Sequence, residues 1–175
     1  VARRRAKELV KGVRAPRDRL LAVRNEVLRT IRPAGPSFLK LPPGTFSPPD
    51  RTLADQYGNP ADRAVLLAAM LDAAGFDANI ILAADDVTRY PAFSQPMRDV
   101  PQLDFYSHLL VAVKYQGTTV YLNEGDQYDE LGSSALDGAP ALDLVNGKQL
   151  TLSVADTLKN RERNEWTIDL NGTGE

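Results

Sequence analysis

Few side chains in this sequence could do nucleophilic or metal chemistry. The 175 residues include one histidine, His108, and no cysteine. A thiol nucleophile, a thiolate metal site and a His-rich metal site are therefore excluded, and we expect no metal and no cofactor. Ser107 precedes His108, but neighbouring residues of a strand point to opposite faces, so a serine–histidine dyad is not expected. His108 is thus the first candidate for a functional side chain.

The stretch 57–75 carries the signals of a buried helix. Asn59 can accept a hydrogen bond from an orphan amide of the first turn, and Pro60 suits the first helical position, where no donor is needed. Asp62 favours the positive end of the helix dipole, and Gly75 can take the left-handed conformation that ends a helix. Apolar residues recur between these ends at spacings of three and four: Ala64, Leu67, Ala68, Leu71 and Ala74. A helix that is apolar on nearly all sides lies at the centre of a core.

The rest of the chain predicts helices followed by an antiparallel sheet, which is the α+β class. Residues 2–13 and 16–31 are predicted as amphipathic helices. The proline-rich stretch 33–50 is predicted to lack regular structure, with one helical turn after it at 52–57. Strands are predicted at Ala78–Ala83, Tyr106–Tyr115, Thr118–Asn123, Leu142–Val145 and Lys148–Leu152, with turns at Gln116-Gly117 and Asn146-Gly147.

Composition indicates a globular chain with one basic end. Hydrophobic residues make up 43% and charged residues 25%, and no run approaches the roughly 20 apolar residues of a membrane span. Residues 1–32 contain eleven Lys or Arg against three acidic residues. Their apolar stripe comprises Leu20, Val23, Val27 and Ile31. We therefore expect an amphipathic helix with a wet arginine face rather than a nucleic-acid arm, and keep a basic-helix docking module as a further hypothesis.

Other side chains could contact a ligand. The acidic segment Glu124–Glu130 lacks the regular spacing of a calcium loop, so we interpret it as a solvated loop. Asn59 and Asp62 could contact a ligand if the helix begins in a polar cleft, although helix stabilisation is the simpler role for Asp62. Five aromatic residues could line a groove for a peptide or sugar, or belong to the core: Tyr57, Tyr90, Phe93, Tyr106 and Tyr121.

Several motifs, in this order, resemble the transglutaminase-like superfamily. They are Gly58–Leu67 at the helix start, Phe105–Val111, Val120–Gly125 and Gly138–Leu142, with Arg163–Glu165 similar to the lead-in to a following β domain. The resemblance is to the bacterial subgroup whose core is flanked by β domains in longer, usually exported chains. It implies a papain-like core domain at residues 1–160. It also implies a tail at residues 161–175, in which the strand-like run Trp166–Leu170 begins the next β domain.

The resemblance also assigns a site. The chemistry of the family needs a cysteine at the helix start, a histidine base, and an Asp or Asn that orients the histidine. By resemblance Pro60 stands at the nucleophile position, His108 at the base position and Asn123 at the orienting position. Proline has neither a nucleophile nor an amide hydrogen, so acyl transfer through a thioester cannot run there.

The sequence therefore predicts a pseudoenzyme. Its role would be structural, or the binding of a peptide, protein or glycan, within a larger exported bacterial protein whose adjacent β domains are its partners. The main alternative is a hydrolase in which His108 activates water, helped by Asp62 or Asn123. An open cleft between Pro60 and His108 would favour binding, whereas a filled one would favour a scaffold.

Overall fold

Helices precede an antiparallel sheet along the chain. The structure, a computed structural model, describes residues 1–42, 44–84, 99–100, 102–122, 128–158, 165 and 167. The helices are α1 (Ala2–Leu9), α2 (Pro16–Thr30), α3 (Pro49–Asp55) and α4 (Pro60–Ala73). The strands are β1 (Arg32–Pro33), β2 (Tyr57–Gly58), β3 (Ala78–Ala83), β4 (His108–Tyr115), β5 (Thr118–Leu122), β6 (Pro140–Asp143) and β7 (Gln149–Thr151). An antiparallel sheet has the order β5-β4-β3-β6-β7, and β1 pairs with β2 in parallel. This mixture of helix and antiparallel sheet is what the α+β prediction requires.

The central helix is α4, and both of its ends carry the predicted signals. Asn59 caps its start through its side chain, Pro60 is its first residue, and Gly75 follows its end with φ +90°. The side chain of Arg19 on α2 donates to the carbonyl of Ala74, so a tertiary contact also satisfies the C-terminal end. Helices α1, α2 and α3 pack against α4. The predicted core helix is confirmed.

Each face of the five-stranded sheet carries a cluster of buried apolar side chains. The helix face packs with α4 and the other helices through Leu82, Leu109, Val111, Val113, Val120 and Leu122. The far face carries Ile81, Ala83, Leu110, Ala112 and Tyr121, which pack with Leu136, Ala139, Ala141 and Leu152. Because side chains alternate along a strand, the two clusters divide β4 into odd-numbered residues toward the helices and even-numbered residues away from them.

The predicted hairpins form. Gln116 and Gly117 join β4 to β5 with φ of +50° and +80°, as a type I′ turn requires. Strands β6 and β7 pair on either side of Asn146-Gly147; β6 begins and ends two residues earlier than predicted, and β7 is shorter than predicted. Helix α1 also ends earlier than predicted, at Leu9, and Gly12 beyond it has φ +80°, which is incompatible with a right-handed helix.

The stretch 33–50 has more regular structure than predicted. Pro33 ends β1, and Pro49 opens α3 three residues before the predicted helical turn at 52–57. An edge strand and a first helical turn are both positions that proline tolerates, because neither needs its missing amide hydrogen. The run Trp166–Leu170, apart from Thr167, lies outside the described residues, as does the predicted boundary at residue 160. None of the helices described has the length and apolarity needed to cross a membrane.

Candidate functional site

The first turn of α4 has no free backbone donor. The side-chain oxygen of Asn59 accepts the amides of Ala61 (2.8 Å) and Asp62 (3.0 Å), and the Arg63 amide donates to the Asn59 carbonyl (3.1 Å). Pro60, which is exposed, has no amide hydrogen to offer. A helix start normally attracts anions because its first amides lack partners. Here those amides are occupied, so the backbone of this turn cannot stabilise an oxyanion.

Asp62 holds the helix start in place. One carboxylate oxygen accepts the Asn59 amide (3.2 Å) and the other accepts the Ser47 amide (2.7 Å), which ties the preceding loop to the helix. The residue is 7% exposed. A Cβ added to Gly58 would lie 2.9 Å from the Cβ of Asp62 and 3.2 Å from Cγ2 of Thr52, so only glycine fits beside this carboxylate. These contacts give Asp62 and Asn59 a structural role.

The lengths and connection of α4 and β3 indicate which end of the sheet His108 occupies. The short link after Ala74 reverses the chain, so β3 runs back along the helix. The 14 residues of α4 and the six of β3 both span about 20 Å. His108 pairs with Ala83, the last residue of β3, and is therefore level with the helix start.

Strand alternation places His108 on the far face, with Leu110 and Ala112. To approach Pro60, its imidazole would have to reach around the end of the sheet. Asn123, the predicted orienting residue, lies outside the described residues. The assignment of Pro60, His108 and Asn123 as remnants of a catalytic triad stays a prediction.

The predicted groove aromatics separate into two kinds. Tyr106 and Tyr121 are buried, in the helix-face and far-face clusters respectively. Burial raises the pKa of Tyr121, partly offset by a hydrogen bond from the backbone of Ser153. Tyr57, next to the helix start, is 56% exposed and can contact a ligand. Tyr90, Phe93 and most of the acidic segment Glu124–Glu130 lie outside the described residues.

Some arginines of the basic N-terminal helices contact other parts of the protein instead of solvent. Arg24 is only 5% exposed and donates to the carbonyl of Asp129 (3.0 Å), contrary to the expected wet arginine face. Arg5 pairs with Glu26 (2.8 Å). The burial of Arg24 follows from its position beside Val23 and Val27 on the packed side of α2, where a guanidinium can stay only with a hydrogen-bond acceptor.

Arg63 was not singled out by its sequence context, yet it is the most unusual charge at the helix start. It precedes Leu67 by one turn and Met70 by two, and both are buried. Its Nε is sealed from solvent with no hydrogen-bond partner, and burial lowers the pKa of its guanidinium. A charged residue inside an apolar stripe was the signal that could have identified it.

Two concavities lined by described residues contain neither Pro60 nor His108. One of about 140 Å³ lies on the far face and is lined in part by Ile81, Ala112 and Tyr121. Another, of about 490 Å³, lies between α1, α2 and α3. Among the described residues, no group of three His, Cys, Asp or Glu could hold a metal ion.

Comparison with known proteins gives a fold relationship. No family model and no curated protein matches the sequence. A solved structure from Parabacteroides distasonis, described as that of a “putative protease”, superposes with a TM-score of 0.65 at 17% sequence identity. The match covers 87% of this chain and 27% of that one, so this chain spans about a quarter of the length of its structural neighbour. At this identity the likeness establishes a shared fold.

Proposed function

We propose that this chain is a catalytically inactive, transglutaminase-like domain that binds a peptide, protein or glycan, or serves as a scaffold, within a larger protein. The observation that carries the proposal is the chemistry of the α4 start. By resemblance Pro60 stands at the position of the family nucleophile, and the Asn59 and Asp62 side chains accept hydrogen bonds from the backbone amides around it. Nucleophilic attack and oxyanion stabilisation therefore both lack a group to perform them.

The helix start is built for stability. A proline at the first helical position, a reciprocal cap and a buried carboxylate that also binds the Ser47 amide all hold α4 in place. An enzyme that catalyses acyl transfer needs a free amide hydrogen at this helix start to stabilise the oxyanion. A binding domain or scaffold needs only that the helix start be rigid. The exposed Tyr57 beside the cap then offers a contact surface.

The setting of the domain is also part of the proposal. The structural neighbour is almost four times longer than the region it shares with this chain, as its 27% coverage indicates. By resemblance, the partners would be adjacent β domains of the same polypeptide, and the protein would be exported from a bacterial cell. The neighbour's description as a “putative protease” makes amide substrates the right ones for testing inactivity.

The proposal is tested by assaying the purified domain for ammonia release from glutamine peptides and for cleavage of unstructured peptides. We expect no turnover above that of a heat-inactivated sample. Turnover that disappears in a His108→Ala variant would overturn the proposal in favour of a hydrolase in which His108 activates water. The matched control is Lys114→Ala, which changes an exposed residue of the same strand and the same face.

A further inference from the structure

The side chain of Arg63 leaves α4 on its core-facing side, and its guanidinium reaches the surface beside the helix start. Its position one turn before Leu67 directs its stem toward the packed side of the helix. The residue as a whole is half-buried, so the outer part of the guanidinium reaches solvent while Nε does not. The charge therefore lies recessed beside the start of α4.

No group of the described chain neutralises this charge. The Nε atom has no hydrogen-bond partner, and the ion pairs found among the described residues do not include Arg63. The adjacent carboxylate, Asp62, is already used by the Asn59 and Ser47 amides. A partly desolvated cation without a counter-ion costs stability, which a ligand anion would recover on binding.

We propose that Arg63 is the recognition group for a carboxylate on the side chain of an acidic peptide segment. This assignment rests on the proposed function, because it names the ligand of a binding domain. A planar guanidinium offers a fork of donors that matches a carboxylate in shape and charge. Because the fork is recessed, a carboxylate on a flexible methylene stem reaches it more easily than one attached directly to a sugar ring.

The partners of four other arginines show why Arg63 is the one selected. Arg24 donates to a backbone carbonyl, and Arg5 and Arg51 pair with carboxylates. Arg19 also has a buried Nε without a partner, but its Nη2 donates to the Ala74 carbonyl and its guanidinium lies over the ring of Phe76. Arg63 combines partial burial with the lack of any such contact to the residues that the structure describes.

The test is an NMR titration of the wild-type domain with N-acetyl-glutamate α-amide, with the neutral isostere N-acetyl-glutamine α-amide as the matched probe. We expect saturable shifts of the Arg63 Nε–H signal and of the amides near it with the glutamate probe, and none with the glutamine probe. Arg63→Gln should weaken binding about tenfold or more. Arg29→Gln, which removes the same charge from an exposed position of α2, should leave binding unchanged.

Several outcomes would overturn this inference. They are no saturable shift with the glutamate probe, equal binding of the neutral probe, equal affinity in Arg63→Gln and the wild type, or tighter binding of glucuronate or inorganic phosphate. An Arg63→Lys variant keeps the charge without the fork and should bind with intermediate affinity. If the wild-type domain does not bind the glutamate probe, the proposed catalytic inactivity still stands, because inactivity is measured by turnover. Conversely, turnover that depends on His108 would contradict the proposed inactivity without changing the result of the titration.

Discussion

Asn59 and Asp62 cap each other. The Asn59 side chain accepts the Asp62 amide at 3.0 Å, and the Asp62 side chain accepts the Asn59 amide at 3.2 Å. Because the second oxygen of Asp62 also accepts the Ser47 amide, this pair joins the central helix to the loop before α3. The same pair removes the free amides that a catalytic helix start would need.

The two halves of this capping pair should contribute unequally to the free energy of unfolding. Asn59→Ala should lower the free energy of unfolding by about 1–2 kcal/mol, the usual value for a lost N-cap. Asp62→Ala should cost about 2 kcal/mol or more, because it leaves the buried Asn59 amide and the part-buried Ser47 amide without an acceptor. Urea denaturation measures both. The control, Asp72→Ala, removes an exposed carboxylate from the same helix and should change stability by less than about 0.5 kcal/mol. Equal costs at Asp62 and Asp72 would contradict the proposed role.

Introducing a thiol tests the assignment of the nucleophile position. Pro60→Cys and Pro16→Cys each place a cysteine at the exposed first position of a helix, where the dipole should lower the thiol pKa by about one unit. If His108 lies near Pro60, its imidazolium should lower the pKa of the Pro60→Cys thiol further. The pH dependence of alkylation by iodoacetamide measures both values. The difference between the two variants should vanish when His108 is also changed to Ala, and identical titrations from the start would contradict the assignment.

Removing the isolated charge should stabilise the free domain. Arg63→Met keeps an apolar stem of similar reach and removes the unpaired guanidinium, so we expect the free energy of unfolding to rise by about 1 kcal/mol. The measurement is urea denaturation in the absence of added carboxylates. Arg29→Met, at an exposed position, provides the control and should have little effect. A less stable Arg63→Met protein would mean that the guanidinium has a stabilising partner.

Tyr121 should make the fold sensitive to alkaline pH. Burial raises the pKa of Tyr121 above the ordinary value of 10.0, so the unfolded state loses this proton first as the pH rises. Stability is therefore unaffected by this group below pH 10 and falls above it. Tyr121→Phe should be less stable near neutrality, because the hydrogen bond from the Ser153 backbone is lost, but should show a shallower decline between pH 10 and 11. Urea denaturation across this range makes the comparison, and parallel declines would contradict it.

Local features of the fold were predictable from the sequence because they depend on neighbours in the chain. The cap at Asn59, the glycine after α4, the strand Ala78–Ala83 and the turn at Gln116-Gly117 all occur where the residue types indicate them. The cap, the glycine and the turn each depend on the conformation that one residue can adopt, or on a hydrogen bond spanning two to four positions. The strand was indicated by its short continuous run of apolar residues. The prediction that the prolines of the stretch 33–50 exclude regular structure was wrong, because Pro33 and Pro49 occupy positions that need no amide donor.

The tertiary structure decided what surrounds the candidate site. No local pattern indicates that Asp62 binds the Ser47 amide, that Tyr106 and Tyr121 are buried in different clusters, or that Arg24 reaches the carbonyl of Asp129. These facts depend on which distant segments pack together, and burial in turn decides the energy of each charge. The sequence alone determined that the helix start lacks a thiol or hydroxyl nucleophile, because that follows from residue type. Only packing determined that its amides are occupied and that Arg63 beside them has no counter-ion within the described part of the chain.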